Sequence, residues 1–227
     1  MKIGIIGITG TMGKVLSEII AQNTENLLLS GGISSKSTED EISNLAKDSD
    51  VLVDFSQPKP ALMAISAASK VGTPVVSGTT GLSERDFNKI REFSSRIPIL
   101  HASNFSVGVQ LMSVLLKKAS EILVPGFDVN IIDMHHNKKK DSPSGTALFL
   151  EKAIGRPDTK IASVRAGGIF GDHICDFIGE NEMLTISHRA FNRKIFAKGA
   201  IACAQWIIEK NPGLYTMMDY LRIEDVK

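Results

Sequence analysis

Apolar residues come in two rhythms along this chain. Short, nearly unbroken runs have the length and composition of buried strands: Lys2-Ile3-Gly4-Ile5-Ile6, Leu27 to Ser30, Asp50-Val51-Leu52-Val53-Asp54-Phe55, Pro74-Val75-Val76-Ser77 and Ile97-Pro98-Ile99-Leu100. Between them apolar positions recur at helical spacing, in Val15, Leu16, Ile19 and Ile20 and again in Ala61, Leu62, Ile65 and Ala68. Pro58 and Pro60 suit the first turn of the second of these helices, and Ser83 with Asp86 predicts a capped helix to about Ser94. Strand and helix alternating in this way predict a doubly wound, parallel α/β domain.

The rhythm changes after a helix from about Val107 to Leu123, where Pro125-Gly126 breaks the chain. Phe127 to Met134 reads as a strand, a helix follows Gly145, and Lys160 to Arg165 is a further strand. A turn-rich link, Ala166 to Asp172, leads to the strand His173 to Ile178. Gly179 to Glu182 then forms a hairpin turn into Met183 to His188. This half is a mixed α+β domain. An amphipathic helix near Gly199 to Glu209 and a tail around Tyr215 to Ile223, packing back on the first domain, close the chain, with Trp206 and Tyr215 as packing residues.

Composition narrows the class. A chain of 227 residues can build one large core or two small ones. With 26 basic against 25 acidic residues it has no global field for nucleic acid, and no apolar run reaches membrane-spanning length, so neither is expected as a partner. Cys175 and Cys203 lack metal-ligand spacing and lie in apolar segments, so reduced core thiols and no metal site are expected. The N-terminal residues lack the pattern of a signal peptide, and the expected location is cytoplasmic.

Two stretches carry candidate chemistry. In the first, a strand enters Gly7-Ile8-Thr9-Gly10-Thr11-Met12-Gly13 and leaves as a helix, the order that brings a diphosphate to a helix N-terminus. Gly7 permits the turn, Gly10 a close phosphate, and Gly13 close helix packing. After the second strand stands Gly31-Gly32-Ile33-Ser34-Ser35-Lys36 rather than an acid, so Ser34, Ser35 and Lys36 suit the 2′-phosphate of NADPH over NADH; a plain polar loop is the other reading. Gly78-Thr79-Thr80-Gly81 suits the nicotinamide half, and Asn104 and Phe105 suit a cofactor contact at the hinge.

The second stretch is Asp133-Met134-His135-His136-Asn137-Lys138-Lys139-Lys140-Asp141-Ser142-Pro143-Ser144-Gly145-Thr146. Imidazoles and ammonium groups suit proton transfer or anion binding, and the turn before a helix can aim N–H groups at a carboxylate or phosphate. Three consecutive lysines also suit a solvated face.

The motifs Gly7-x-x-Gly10-x-Met12-Gly13, Gly78-Thr79-Thr80-Gly81, Asn104-Phe105-Ser106 and His135-His136-x-x-Lys139-x-Asp141-x-Pro143-Ser144-Gly145-Thr146 closely resemble the bacterial dihydrodipicolinate reductase family. Arg165-Ala166-Gly167, Gly171-Asp172-His173 and Phe196-Ala197-x-Gly199-Ala200 extend the likeness over nearly the whole chain. The resemblance implies a Rossmann-type dinucleotide-binding domain over 1–106, a mixed α+β substrate-binding and oligomerisation domain over 107–198, and a helix and tail, 199–227, returning to the first. It implies NAD(P)H-dependent reduction of 4-hydroxy-tetrahydrodipicolinate, a cyclic imine dicarboxylate, to tetrahydrodipicolinate in diaminopimelate and lysine synthesis. By the same likeness His135 is the acid/base residue and Lys139 the second proton donor. His136, Gly145 and Thr146 bind substrate. Gly7, Ile8, Thr9, Gly10, Thr11, Met12, Gly78, Thr79, Thr80, Ala102, Ser103, Asn104 and Phe105 hold the cofactor, NADPH or NADH, and the assembly is a homotetramer.

The chain departs from the family pattern in Asp133, where Glu is common, and in a shortened segment from Gly31 to Asp50. The alternatives are another NAD(P)-dependent reductase of this architecture, or a catalytically silent dinucleotide sensor.

Overall fold

The computed structural model describes residues 1–23, 25–123 and 126–223, so the expected break at Pro125 lies outside the described residues. Among the described residues the chain forms two compact units, Met1–Phe105 with 194–223, and Ser106–Arg193.

The first unit contains β1 (Lys2–Ile6), α1 (Thr11–Ala21), β2 (Leu28–Ile33), α2 (Glu39–Asp48), β3 (Val51–Asp54), α3 (Pro58–Val71), β4 (Val75–Ser77), α4 (Glu84–Ser94) and β5 (Pro98–His101). The second contains α5 (Val107–Ile122), β6 (Asp128–His135), α6 (Gly145–Ile154), β7 (Lys160–Arg165), β8 (Asp172–Ile178) and β9 (Met183–Arg189). The chain then returns to the first unit as α7 (Lys194–Ile207), β10 (Gly213–Tyr215) and α8 (Met217–Leu221).

In the first unit six parallel strands are ordered β10-β5-β4-β3-β1-β2. Alternation along the buried strands sends Val51 and Val53 to one face and Leu52 to the other. The first face packs α1 and α7, and the second packs α2, α3 and α4. The small residues Ala197, Gly199, Ala200, Cys203 and Ala204 bring α7 close in; a Cβ at Gly199 would lie 2.0 Å from the Phe105 carbonyl oxygen. Trp206 and Tyr215 pack edge to face at 5.4 Å.

Four elements differ from the sequence reading. The second strand runs on to Ile33, absorbing the two glycines, because its parallel pairing with β1 continues past Ser30. The segment after it holds α2, capped by Thr38 and Glu41 in a reciprocal box. The last long helix starts at Lys194, earlier than Gly199, and Gly213–Tyr215 adds an edge strand beside β5.

The second unit is a four-stranded sheet ordered β7-β6-β8-β9, parallel between β6 and β7 and antiparallel elsewhere. Val129, Ile131, Cys175 and Phe177 on one face pack against α5 and α6. Cys175 and Cys203 are both buried, free thiols. No helix among the described residues is long and apolar enough to cross a membrane.

Candidate active site

Parallel strands deliver their following loops to one edge of the first sheet. Gly7 has φ +85, and its missing Cβ would meet the Phe55 carbonyl oxygen at 2.7 Å. A Cβ at Gly13 would lie 2.3 Å from the Gly7 oxygen, so only glycine lets α1 start this close to the loop. The α1 N-terminus has no side-chain cap on Gly10 and no acid in its first turn, which leaves its N–H groups and positive end for an anion. Thr9, Gly10 and Thr11 are exposed there, whereas Ile8 and Met12 pack on the core. Gly7, Thr9 and Gly10 share a cleft with Ser34, Ser35 and Phe55, while Lys36 is exposed outside its lining. These residues fit a dinucleotide diphosphate.

At the ends of β3 and β4 lies a buried carboxylate that sequence reasoning passed over. Asp54 accepts from the Ser56 N–H (3.0 Å), the Ser56 hydroxyl, Ser77 Oγ (2.6 Å) and Thr79 Oγ1 (2.8 Å). Thr79 Oγ1 also accepts from the Ser56 N–H at 3.1 Å. Burial pushes the Asp54 carboxyl above its usual range, and the hydrogen bonds only moderate it. Thr79 is therefore committed to the loop's own framework, and Thr80 is the exposed member. Ala102 and Asn104 are buried and Ser103 exposed. Phe105 is 1% exposed and packs on Phe55 at 5.6 Å, supporting the loop from within the core.

In the second unit the buried face of β6 turns from apolar to polar halfway along: Val129, Ile131, Asp133, His135. Asp133 stands in register with Ser163 on β7 and His173 on β8, and His173 with His188 on β9, so a polar row crosses the sheet. Asp133 Oδ2 accepts from the Ser144 N–H (2.9 Å), Ser163 Oγ (3.1 Å) and Arg165 Nη2 (2.9 Å). Its Oδ1 lies 2.8 Å from His135 Nδ1 and 3.5 Å from His173 Nε2. Arg165 also donates to the carbonyls of Asp133 and Asp141, closing the loop between them.

That loop, which contains the cis peptide Ser142-Pro143, ends at Ser144. The Ser144 hydroxyl caps α6 by accepting from the Ala147 N–H. Gly145 is exposed at the helix start, and a Cβ there would meet nothing within 4 Å. Thr146 is half-buried beside it. Of the three lysines, Lys138 and Lys140 are exposed, whereas Lys139 is half-buried and pairs with Asp141 at 2.8 Å. His136 lies 3.4 Å from Arg193 through Nε2.

Electrostatics separate the members of this cluster. Burial depresses the His135 pKa to about 4; Asp133 opposes the shift, and His173, Lys139 and Arg165 add to it. His135 is thus a neutral imidazole at pH 7. For Asp133 burial alone would raise the pKa, but hydrogen bonds from His173, Ser144 and Arg165 outweigh it and hold the group ionised far below the ordinary carboxylate range. Ligand-type atoms of Asp133, His135 and His173 lie within 4.8 Å of one another. Arg165 already neutralises that carboxylate, so no metal is assigned here.

Two family models match the chain, together covering nearly its whole length. Residues 1–105 match the family model described as "Dihydrodipicolinate reductase, N-terminus", and residues 108–221 match "Dihydrodipicolinate reductase, C-terminus". The chain belongs to the dihydrodipicolinate reductase family. It is 40% identical to 4-hydroxy-tetrahydrodipicolinate reductase of Zymomonas mobilis over 97% of both chains. It is 38% identical to the enzyme of that name from Thermosipho africanus over 98% of both. A dipicolinate-bound dihydrodipicolinate reductase from Paenisporosarcina sp. TG-14 has the same fold, with TM-score 0.79 at 23% identity over 99% of both chains.

Within this family member, one strand-to-helix turn gathers His135, His136, Lys139, Gly145 and Thr146. The glycine loop, Ser34 and Gly78–Thr80 belong to the other unit. Asp54, Arg165, Ser144 and His173 were missed as site residues. Asp133 had a local signal: two residues before His135 on a strand, it must share that residue's face.

Proposed function

We propose that this chain catalyses NAD(P)H-dependent reduction of 4-hydroxy-tetrahydrodipicolinate to tetrahydrodipicolinate, a step of diaminopimelate and lysine synthesis. The observation that carries the reading is the β6–α6 turn, where a buried neutral imidazole, an ammonium group and a solvent-exposed helix start stand together. Overall, the hydroxylated ring loses water and takes up one hydride and one proton. Gly7, Thr9, Gly10, Thr11, Gly78, Thr80 and Ser103 would contact a reduced nicotinamide dinucleotide, which would supply the hydride, while Ile8, Met12, Thr79, Ala102, Asn104 and Phe105 support those loops from within.

The other roles belong to side chains and backbone. N–H groups of Gly145 and Thr146, at the positive end of α6, hold one ring carboxylate, with His136 as a further ligand. Lys139 stabilises negative charge on the ring and delivers the proton. His135, neutral at rest, first accepts a proton and returns it later in the cycle. Ser34 and Lys36 favour NADPH over NADH. Exposed Met183 and Leu184 on the edge strand β9 support association through the second sheet, as a homotetramer in the cytoplasm.

The test generates the substrate in place from pyruvate and aspartate semialdehyde with the preceding synthase, and follows loss of reduced-nicotinamide absorbance. Synthase-dependent oxidation is expected, faster with NADPH. Cofactor binding without oxidation would favour a different reductase or a sensor.

A further inference from the structure

We infer that Asp133 is the positioning residue of this site: one immobile carboxylate sets the ring of His135 with one oxygen and the start of α6 with the other, so that the proton-transfer group and the carboxylate clamp form a single piece. The inference rests on the proposed reaction for its consequences in turnover, but its geometry stands by itself.

The carboxylate cannot turn. Its Oδ2 is held by three donors from two segments: the Ser144 N–H at the end of the loop, and Ser163 and Arg165 on β7. Arg165 is itself fixed by three carbonyls, Asp133, Asp141 and its neighbour Val164. Oδ1 is thereby aimed along the buried face of β6 at His135 Nδ1, 2.8 Å away. Two lone pairs at that separation repel, so a proton must sit on Nδ1, even though the approach is off the axis of an ideal hydrogen bond. The neutral ring is then the Nδ1–H tautomer, and Nε2 carries the lone pair. Nε2 faces Gly171, where an added Cβ would come to 3.1 Å. His173, 5.2 Å away and nearly edge-on, walls the ring on another side. On the far side of the same carboxylate, the Ser144 N–H fixes the residue that caps α6, and so the direction in which the Gly145 and Thr146 N–H groups point.

The test has two arms. In the wild-type protein, nitrogen NMR of labelled histidine should show His135 as the Nδ1–H tautomer at neutral pH; an Nε2–H tautomer would overturn the inference. In the second arm Asp133→Asn and Asp133→Glu are compared. The Asn variant should lose about 100-fold in kcat and raise substrate KM severalfold, with NAD(P)H affinity within about twofold, because its single oxygen can accept from only one side while the amide NH2 faces the other, so tautomer control and the hold on Ser144 are no longer served together. The Glu variant keeps the charge facing Arg165 and should recover at least about tenfold of that loss. An Asn variant within about threefold of wild-type kcat, or no difference between Asn and Glu, would also overturn the inference. Should Asp133→Asn fail to fold, seen as lost amide-exchange protection across β6, β7 and β8, the tautomer measurement decides alone. A wild-type protein with the Nδ1–H tautomer but no turnover would refute the proposed reaction and leave the positioning intact.

Discussion

Asp54 and Asp133 are both buried, both lie at or near the carboxyl end of a strand, and both tie loops together. Their charge states are pushed in opposite directions. Asp54 meets only neutral donors, one N–H and three hydroxyls, and burial raises its pKa. Asp133 meets a guanidinium as well as an N–H, a hydroxyl and two imidazoles, and its pKa falls well below the ordinary range. Desolvation acts on both; at Asp133 the hydrogen bonds from His173, Ser144 and Arg165 outweigh it, and at Asp54 those from Ser56, Ser77 and Thr79 do not. In the first unit the carboxylate is a staple for loops that have to receive a dinucleotide. In the second it is the counter-ion of a cation and the register mark for an imidazole.

The sharpest way to break this contrast is to remove partners. Arg165→Gln leaves a buried carboxylate without its cation and should cost about 3–5 kcal/mol of stability in the second unit. Asp54→Asn leaves hydroxyls that can rotate to accept from the new amide, and should cost less than about 1 kcal/mol. Urea denaturation with hydrogen exchange at residues 141–146 and 77–80 would rank them. A larger loss for Asp54→Asn would mean that neutral and charged partners are equivalent here.

Acid separates the two regions next. The native His135 pKa of about 4 lies below the ordinary 6.5, so between these values the unfolded chain takes the proton first and stability falls as pH falls. By pH 4 the loss should be on the order of 2 kcal/mol. Asp133, depressed, adds a further loss once pH drops through the range where an unfolded carboxylate protonates. Asp54, raised, works the other way: the folded form binds the proton first, so its contribution improves as pH falls through its folded pKa. Exchange protection, corrected for intrinsic rates, should therefore drop around 141–146 and hold or rise around 77–80. Matching losses in both loops would remove the distinction.

How much of this was legible beforehand follows the range of the interactions. The strand, glycine loop and helix of the first unit are written in consecutive residues, as is the β6 turn with its histidines. The helix Glu39–Asp48 was legible in Thr38-x-x-Glu41 but overlooked, because the segment was read only for its shortened length. Arg165 and His173 reach Asp133 from other strands, across a register that depends on how β7 and β8 pair with β6. Asp54 was hidden differently: it lies inside the run read as the strand Asp50 to Phe55, and its partners Ser77 and Thr79 come from the next parallel strand and its loop.

The finest contrast is between two helix starts offered as anion sites. At α1 the glycines are demanded by the fold itself, since a methyl at Gly13 would collide with the Gly7 carbonyl. At α6 the fold makes no such demand: Ser144 already caps the helix, and a Cβ at Gly145 would enter open space. If a substrate carboxylate occupies that space, the methyl of Gly145→Ala falls on the ligand rather than on the protein. Stability should then change by less than about 0.5 kcal/mol, or improve, because alanine loses less backbone freedom on folding. Substrate KM should rise about fivefold, the equivalent of one weakened hydrogen bond, with NAD(P)H affinity unchanged. Steady-state kinetics beside a thermal melt would read both. An unaltered KM would place the carboxylate elsewhere, and a loss of more than about 2 kcal/mol would make Gly145 structural, like Gly13.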